Sequence, residues 1–219
     1  MNKTNLSLLI LAILLLTTTI LPSNADAVNL HNWMTERSMD VNRWYCRYRS
    51  DLTVDDAITL EQAQNRSGWI IKYAYDLNYL HPEIHPRRVA KDFFAIVELE
   101  SHFVNYYDMD NGRSFGMTAL TWQTAQAASD FFGDGLKLYG SSKNINHKEL
   151  LRSDVEKQVK YGIWYYYKLL KRYYNGDRLS AIVGYNVGPG LDVSQKKKRE
   201  YFFKAIGRIS YYEMLFKEY

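Results

Sequence analysis

The sequence predicts a mainly α-helical domain with little or no β-strand. Two helix-initiation patterns, several stretches with apolar residues at three-to-four spacing, and the lack of convincing period-two alternation all favour helices. The chain of 219 residues is 47% hydrophobic and 24% charged, which is typical of one globular domain rather than of a disordered chain.

The predicted helices follow one another from residue 59 onwards. Thr59 and Gln62 form a capping box that starts the first helix. Pro86 suits the first turn of the second helix, because proline lacks the amide hydrogen that a first turn leaves unbonded. A further capping box is predicted at Ser153-Asp154-Val155-Glu156, with Ser153 as the cap, and it opens a long helix that ends at Asn175-Gly176.

Three other segments complete this helical prediction. The stretch "TWQTAQAASDFF" is predicted to be helical, and "LSAIVGYNVGPG" predicts a short helix that is ended by Gly188-Pro189-Gly190. A last amphipathic helix is predicted from about Arg199 to Phe216. Residues 28–58 are polar, and the sequence predicts an irregular segment there.

The first 27 residues have the features of a signal peptide. Lys3 supplies a positive start, Leu6–Leu21 is a short apolar run, and Ala25-Asp26-Ala27 is a small-residue cleavage pattern. We expect cleavage after Ala27 and export to the periplasm or the extracellular space, with no stable membrane span afterwards. An uncleaved anchor is the alternative. The chain then divides into a signal peptide (1–27), an N-terminal polar segment (28–58) and a helical domain (59–219).

Charge and cysteine content limit the partners that the chain can have. The formal net charge of +4 favours anionic envelope polymers. The export signal and the lack of a nucleic-acid motif argue against nucleic acid as a partner. Cys46 is the single cysteine, so an internal disulfide is excluded. The five histidines form no cluster with ligand spacing, and we expect neither a metal ion nor a cofactor.

Two glutamates in "KDFFAIVELESHF" differ in the helix face that they are predicted to occupy. With about 100° per residue, and Val89 set at zero, Glu100 falls at about 20° and Glu98 at about 180°. Glu100 therefore continues the apolar stripe, whereas Glu98 is predicted to face solvent together with Lys91.

A carboxylate in line with an apolar stripe needs an explanation. Desolvation disfavours its charged form, so Glu100 is expected to retain its proton more readily than an exposed glutamate. This is the property that general-acid catalysis requires. The alternative is a helix-end glutamate that reaches solvent or pairs with a cation.

Three motifs follow one another along the chain. They are "ESHF" (100–103), "SFGMTALTWQTA" (114–125) and "GYNVGPG" (184–190). The first resembles the "ES-x-F" motif of the soluble lytic transglycosylase family, which is part of the goose-type lysozyme superfamily. The second resembles the family's "GLMQ" turn followed by "TA", and the third resembles its "AYNAGPG". The resemblance covers about residues 60–212.

The resemblance implies a compact lysozyme-like helical fold with a substrate cleft. It implies that Glu100 is the catalytic acid and base, and that Tyr185 positions the reacting groups by hydrogen bonding. The residues that it implies for substrate binding are Ser101, Ser114, Gly116, Met117, Tyr185 and Asn186.

This sequence departs from the family pattern in the region of the glycan subsites. Ala119 stands where the family has the glutamine of "GLMQ", and Thr121-Trp122 replace the following Met-Pro. The family's serine about nine residues after the catalytic glutamate is also missing, since that region is Asp108-Met109-Asp110. The two aspartates are candidates for a second carboxylate by nearness in sequence only.

The function implied by the resemblance is that of an exported peptidoglycan lytic transglycosylase. Such an enzyme cleaves the bond between N-acetylmuramic acid (MurNAc) and N-acetylglucosamine (GlcNAc) with one glutamate and leaves 1,6-anhydro-MurNAc ends. Two alternatives stay open: a hydrolytic muramidase, and a non-catalytic peptidoglycan-binding or assembly factor. The expected partner is the glycan strand of peptidoglycan. Wall cutting could also serve an envelope-spanning assembly, turnover of the wall or attack on a rival.

Overall fold

The computed structural model describes residues 24–49, 52, 57–106, 109, 111–138, 145–189 and 196–215, with side chains from residue 29 and, in the last segment, from residue 199. Most of the predicted signal peptide lies outside these residues, as do Asp108 and Asp110. The described elements are α1 (Asn24–Tyr48), α2 (Leu60–Asp76), α3 (Pro86–Ser101), β1 (Ser114–Phe115), β2 (Leu120–Thr121), α4 (Trp122–Phe132), α5 (Ile145–Ser153), α6 (Val155–Lys168), α7 (Arg178–Val187) and α8 (Lys196–Leu215).

The prediction of a mainly α-helical fold is confirmed. The only sheet among the described residues is the antiparallel pair β1–β2, in which Ser114 faces Thr121 and Phe115 faces Leu120. A short 3₁₀ turn (Asn78–Leu80) follows α2, and a π-helical turn (Leu169–Tyr173) extends α6. No helix in the described part of the chain combines the length and apolar character that a membrane span needs.

Local sequence signals account for most helix starts. The capping box at Thr59 is present, because its side chain accepts the amide hydrogen of Gln62 while the Gln62 side chain accepts that of Thr59. α3 begins at Pro86, as predicted. The predicted cap at Ser153 is wrong: Ser153 ends α5, and Asp154 caps α6 by accepting the amide hydrogen of Lys157.

Helix α3 is the central helix of the fold, and this explains why the prediction for Glu98 is wrong. α3 packs against α1, α2, α6, α7 and α8. Glu98 is only 2% exposed and Lys91 only 3%, although the helical wheel placed both in solvent. A helical wheel with one apolar stripe assumes that the opposite face is exposed to solvent, whereas a helix surrounded by other helices has almost no exposed face. Phe94 and Val97 lie off that stripe and are also fully buried.

The prediction of an irregular segment from residue 28 is also wrong, because α1 occupies residues up to Tyr48. Its buried side chains recur at three-to-four spacing, with Leu30, Met34 and Val41 joined by the polar Ser38 and Asn42. Polar residues in the buried stripe weaken the hydrophobic periodicity on which the prediction depended. Asn42 is satisfied where it is buried: its Oδ1 accepts the amide hydrogen of Ile58 at 2.8 Å.

Candidate active site

Glu100 lies in the last turn of α3 and contacts side chains from two other helices. Its Oε1 accepts a hydrogen bond of 2.7 Å from the hydroxyl of Tyr201 on α8 and one of 3.0 Å from Nδ2 of Asn186 on α7. Glu100 is neither buried nor fully exposed. The structure therefore brings together two of the predicted site residues, Glu100 and Asn186, and adds Tyr201.

Tyr201 is a site residue that motif reasoning did not identify. Burial raises the pKa of its hydroxyl well above the usual value, and the neighbouring Glu100 carboxylate raises it further. The hydroxyl therefore stays protonated and acts as a donor. The signal in the sequence was weak, because Tyr201 lies in a tyrosine-rich last helix with no distinguishing motif.

The turn after Glu100 is held by Ser101, whose hydroxyl donates to the carbonyl of Met117 at 2.6 Å and also lies 3.1 Å from the carbonyl of Val97. Ser101 is only 1% exposed. His102 and Phe103 follow with left-handed φ values of 51° and 65°. Ser101 thus ties the end of α3 to the loop between β1 and β2, and its hydroxyl is already engaged with backbone.

The loop that carries Gly116 and Met117 is organised by Gln158 of α6. Gly116 has φ of 76°, and a Cβ there would lie 2.0 Å from Oε1 of Gln158, so this close approach requires glycine. The same Oε1 accepts the amide hydrogen of Met117 at 3.0 Å. Met117 is fully buried, and Ser114, in β1, is 3% exposed. Gln158 was not identified from the sequence.

Tyr185 contacts the same loop. Its hydroxyl donates to the carbonyl of Thr118 at 2.9 Å. Burial raises the pKa of this hydroxyl well above its usual value, and the charge of Glu100 contributes. The hydrogen bond from Tyr185 to Thr118 therefore supports the loop, while Tyr201 donates to the Glu100 carboxylate.

A cleft of about 480 Å³ extends from this site. Asn186 and Tyr185 form part of its wall, and Glu100, which does not itself line the cleft, accepts the hydrogen bond from Asn186. None of the described residues that line the cleft is acidic. The lining residues are Ala119, Leu120, Thr121, Gln123, Thr124, Ala127, Trp164, Tyr165, Lys168, Tyr173, Tyr185, Asn186, Val187, Gly188 and Pro189.

Two of the departures from the family pattern lie in this wall. Ala119 and Thr121 both line the cleft, and Ala119 has a left-handed φ of 49°. The cleft has other polar side chains close by, those of Gln123 and Thr124. Within the part of the chain that the structure describes, no group of three or more histidine, cysteine, aspartate or glutamate side chains is placed to hold a metal ion.

A known protein family matches the part of the chain that carries this site. The family "Transglycosylase SLT domain" matches residues 85–206, which is more than half of the chain. The match includes α3, the β1–β2 loop and α7, and with them Glu100, Asn186 and Tyr201. No curated protein matches the chain. The chain therefore belongs to the transglycosylase SLT domain family, whose members have a lysozyme-like fold.

Proposed function

We propose that the chain is an exported peptidoglycan lytic transglycosylase that cleaves the MurNAc–GlcNAc bond. Glu100 serves as the single acid and base, and the products carry 1,6-anhydro-MurNAc ends. One observation carries the proposal: in a domain of this family, Oε1 of Glu100 accepts hydrogen bonds from Tyr201 and from Asn186, and Asn186 lines a cleft.

The proposed reaction needs one carboxyl group that first donates and then accepts a proton. Protonated Glu100 donates to the glycosidic oxygen, and the bond to the anomeric carbon of MurNAc breaks. The acetamido oxygen of the same sugar stabilises the positive charge at that carbon. The Glu100 carboxylate then takes the proton of the 6-hydroxyl, whose oxygen closes the anhydro ring. No water is consumed, in contrast to hydrolysis by two carboxylates.

Tyr201 and Asn186 support this reaction by fixing the carboxyl group. Both donate to the same oxygen, Oε1, and so hold the carboxyl group in one orientation. Orientation of a catalytic group is a large source of rate acceleration, because the reacting atoms start close to the required geometry. The aromatic and polar side chains of the cleft supply ring-stacking faces and hydrogen-bond partners for sugars.

A non-catalytic peptidoglycan-binding or assembly factor is the second candidate. The observation that favours it is Ala119, which lines the cleft where the family pattern has a glutamine side chain. A cleft without that amide could still bind glycan and fail to hold it in the reactive position.

Product analysis distinguishes the candidates. Purified protein is incubated with purified sacculi, and the soluble products are examined by mass spectrometry. A transglycosylase releases anhydro-muropeptides, whereas a muramidase releases products heavier by one water. Binding without any soluble product would support the assembly factor and refute the proposed reaction.

Export is part of the proposal, and it is supported by the Leu6–Leu21 apolar run before Ala25-Asp26-Ala27. We expect the exported protein to begin at Val28. Sequencing the N-terminus of the exported form tests this, and retention of the first 27 residues would contradict it.

A further inference from the structure

A second cavity adjoins the active-site cleft and is lined by positive charges. It has a volume of about 230 Å³, and it shares Trp164 and Lys168 with the cleft. Lys171 and Arg172 also line it. We call these four residues the cationic patch. The two cavities together form a surface that leads from the neighbourhood of Glu100 to three positive side chains.

The local backbone explains why these side chains converge. Trp164 and Lys168 are four residues apart on α6, and Lys171 and Arg172 follow Lys168 at three and four residues. The π-helical turn that contains Lys171 and Arg172 ends with the amide of Tyr174 bonded to the carbonyl of Leu169 at 3.1 Å. The cationic patch is therefore built on the C-terminal end of α6 and the hydrogen-bonded turn that extends it.

Neutralisation by neighbouring acidic groups does not explain the patch. No described residue that lines either cavity is acidic, and none of the three cations pairs with a carboxylate in the described part of the chain. Glu83 is close enough to Lys171 to feel its charge, but it is paired with His81 at 2.6 Å. Cations at the C-terminal end of a helix interact favourably with its dipole, but this effect does not explain why these cations surround a cavity.

The patch also has an apolar floor. The Lys168 ammonium lies 4.9 Å from the ring centre of Trp164, and the Trp164 ring lies 5.5 Å from that of Phe131. Phe131 is 49% exposed although it lines this cavity. Positive side chains around aromatic rings suit a ligand that has both carboxylates and aliphatic parts.

We propose that the cationic patch binds the carboxylates of the peptides attached to the glycan strand. This inference rests on the proposed function, because it requires the glycan to lie in the cleft. The hydroxyl and acetamido groups of the sugars are neutral, and the lactyl carboxyl group of MurNAc forms an uncharged amide wherever a peptide is attached. On such a strand the negative partners for the three cations are therefore the carboxylates of the peptide. A peptide that branches from the strand carries free carboxylates and small aliphatic side chains. The cleft thus holds the sugars, and the patch selects strands that still bear acidic peptides.

The test compares two substrates that differ only in charge. One is purified peptidoglycan with its native peptides, and the other is the same material with the peptide carboxylates converted to neutral amides. Cleavage is measured as kcat/KM, and binding is measured by co-sedimentation with the Glu100→Gln protein. We expect the wild type to prefer the native substrate by about 2- to 30-fold, the range expected from two exposed ion pairs. The preference should shrink when salt is raised from about 0.1 M to about 1 M, because the screening length falls from about 10 Å to about 3 Å.

The variant Lys171→Gln/Arg172→Gln should lose most of this preference. Arg43→Gln/Arg47→Gln is the matched control, because it removes the same charge from exposed positions four residues apart on α1. Thermal melts verify that each variant is folded, and Lys171→Gln alone replaces the double variant if the latter is unstable.

Equal use of both substrates by the wild type, or an equal loss of the preference in the control variant, would overturn the inference. If the wild type cleaves neither substrate, the proposed function fails, and the co-sedimentation preference still decides whether the patch binds acidic peptides.

Discussion

Replacing Glu100 with glutamine is expected to abolish cleavage of peptidoglycan while the protein stays folded. Glutamine has nearly the same shape, and its amide oxygen can still accept from Tyr201 and Asn186. It cannot donate a proton to the glycosidic oxygen or take one from the 6-hydroxyl. General acid–base catalysis by one group typically contributes about 10²- to 10⁴-fold in rate. Because one residue supplies both proton transfers here, the loss should be at or above that range.

The loss of cleavage is measured as the rate at which soluble fragments are released from purified peptidoglycan. Thermal melts of the same proteins verify that they are folded. Tyr201→Phe and Tyr185→Phe are the graded controls. Loss of a hydrogen bond to a charged group costs about 1.5–3 kcal/mol, so Tyr201→Phe should slow the reaction by roughly 10- to 150-fold. Tyr185→Phe should affect stability more than rate, because its hydroxyl bonds the carbonyl of Thr118. Normal turnover by folded Glu100→Gln protein would end the assignment of this residue.

The helical wheel and the motifs selected the same glutamate because both depend on local sequence. Glu100 lies in the last turn of α3, in line with the apolar stripe and next to the turn that ends the helix. The helix starts at Thr59 and Pro86 were predictable for the same reason, since a cap is satisfied within three residues of the helix start.

Features that depend on distant segments were not predictable in this way. Tyr201 reaches Glu100 across 101 residues of sequence, and Met117 receives its hydrogen bond from Gln158 across 41. Nothing near either residue in the sequence marks the contact. Burial of Glu98 likewise depends on segments far from α3, so a wheel drawn on α3 alone could not show it.

Glu98 is enclosed by both ends of the described chain. Arg37 of α1 donates to it at 2.7 Å and 3.3 Å, and Arg208 of α8 lies 2.8 Å from its Oε1. Tyr212 of α8 donates to Oε2, and burial together with the charge of Glu98 raises the pKa of that hydroxyl. These three partners lie outside residues 85–206, the part that matches the family. The segments that flank the family core therefore meet on the helix that carries Glu100.

This network predicts that Glu98→Gln reduces stability rather than catalysis. The amide lacks the negative charge that pairs with two arginines. Its NH₂ group would also lie opposite groups that donate hydrogen bonds to the glutamate. We expect the free energy of unfolding to fall by about 3 kcal/mol, the low end of the roughly 3–5 kcal/mol for a broken buried pair, because the side chains of Arg37 and Arg208 are 26% and 45% exposed and can be hydrated.

Urea unfolding of Glu98→Gln and Glu100→Gln, two residues apart on the same helix, measures the difference. Glu98→Gln should unfold at lower urea yet still cleave peptidoglycan when folded, whereas Glu100→Gln should keep its stability and lose cleavage. Equal unfolding midpoints for the Glu98 variant and the wild type would show that the ion-pair network does not stabilise the fold.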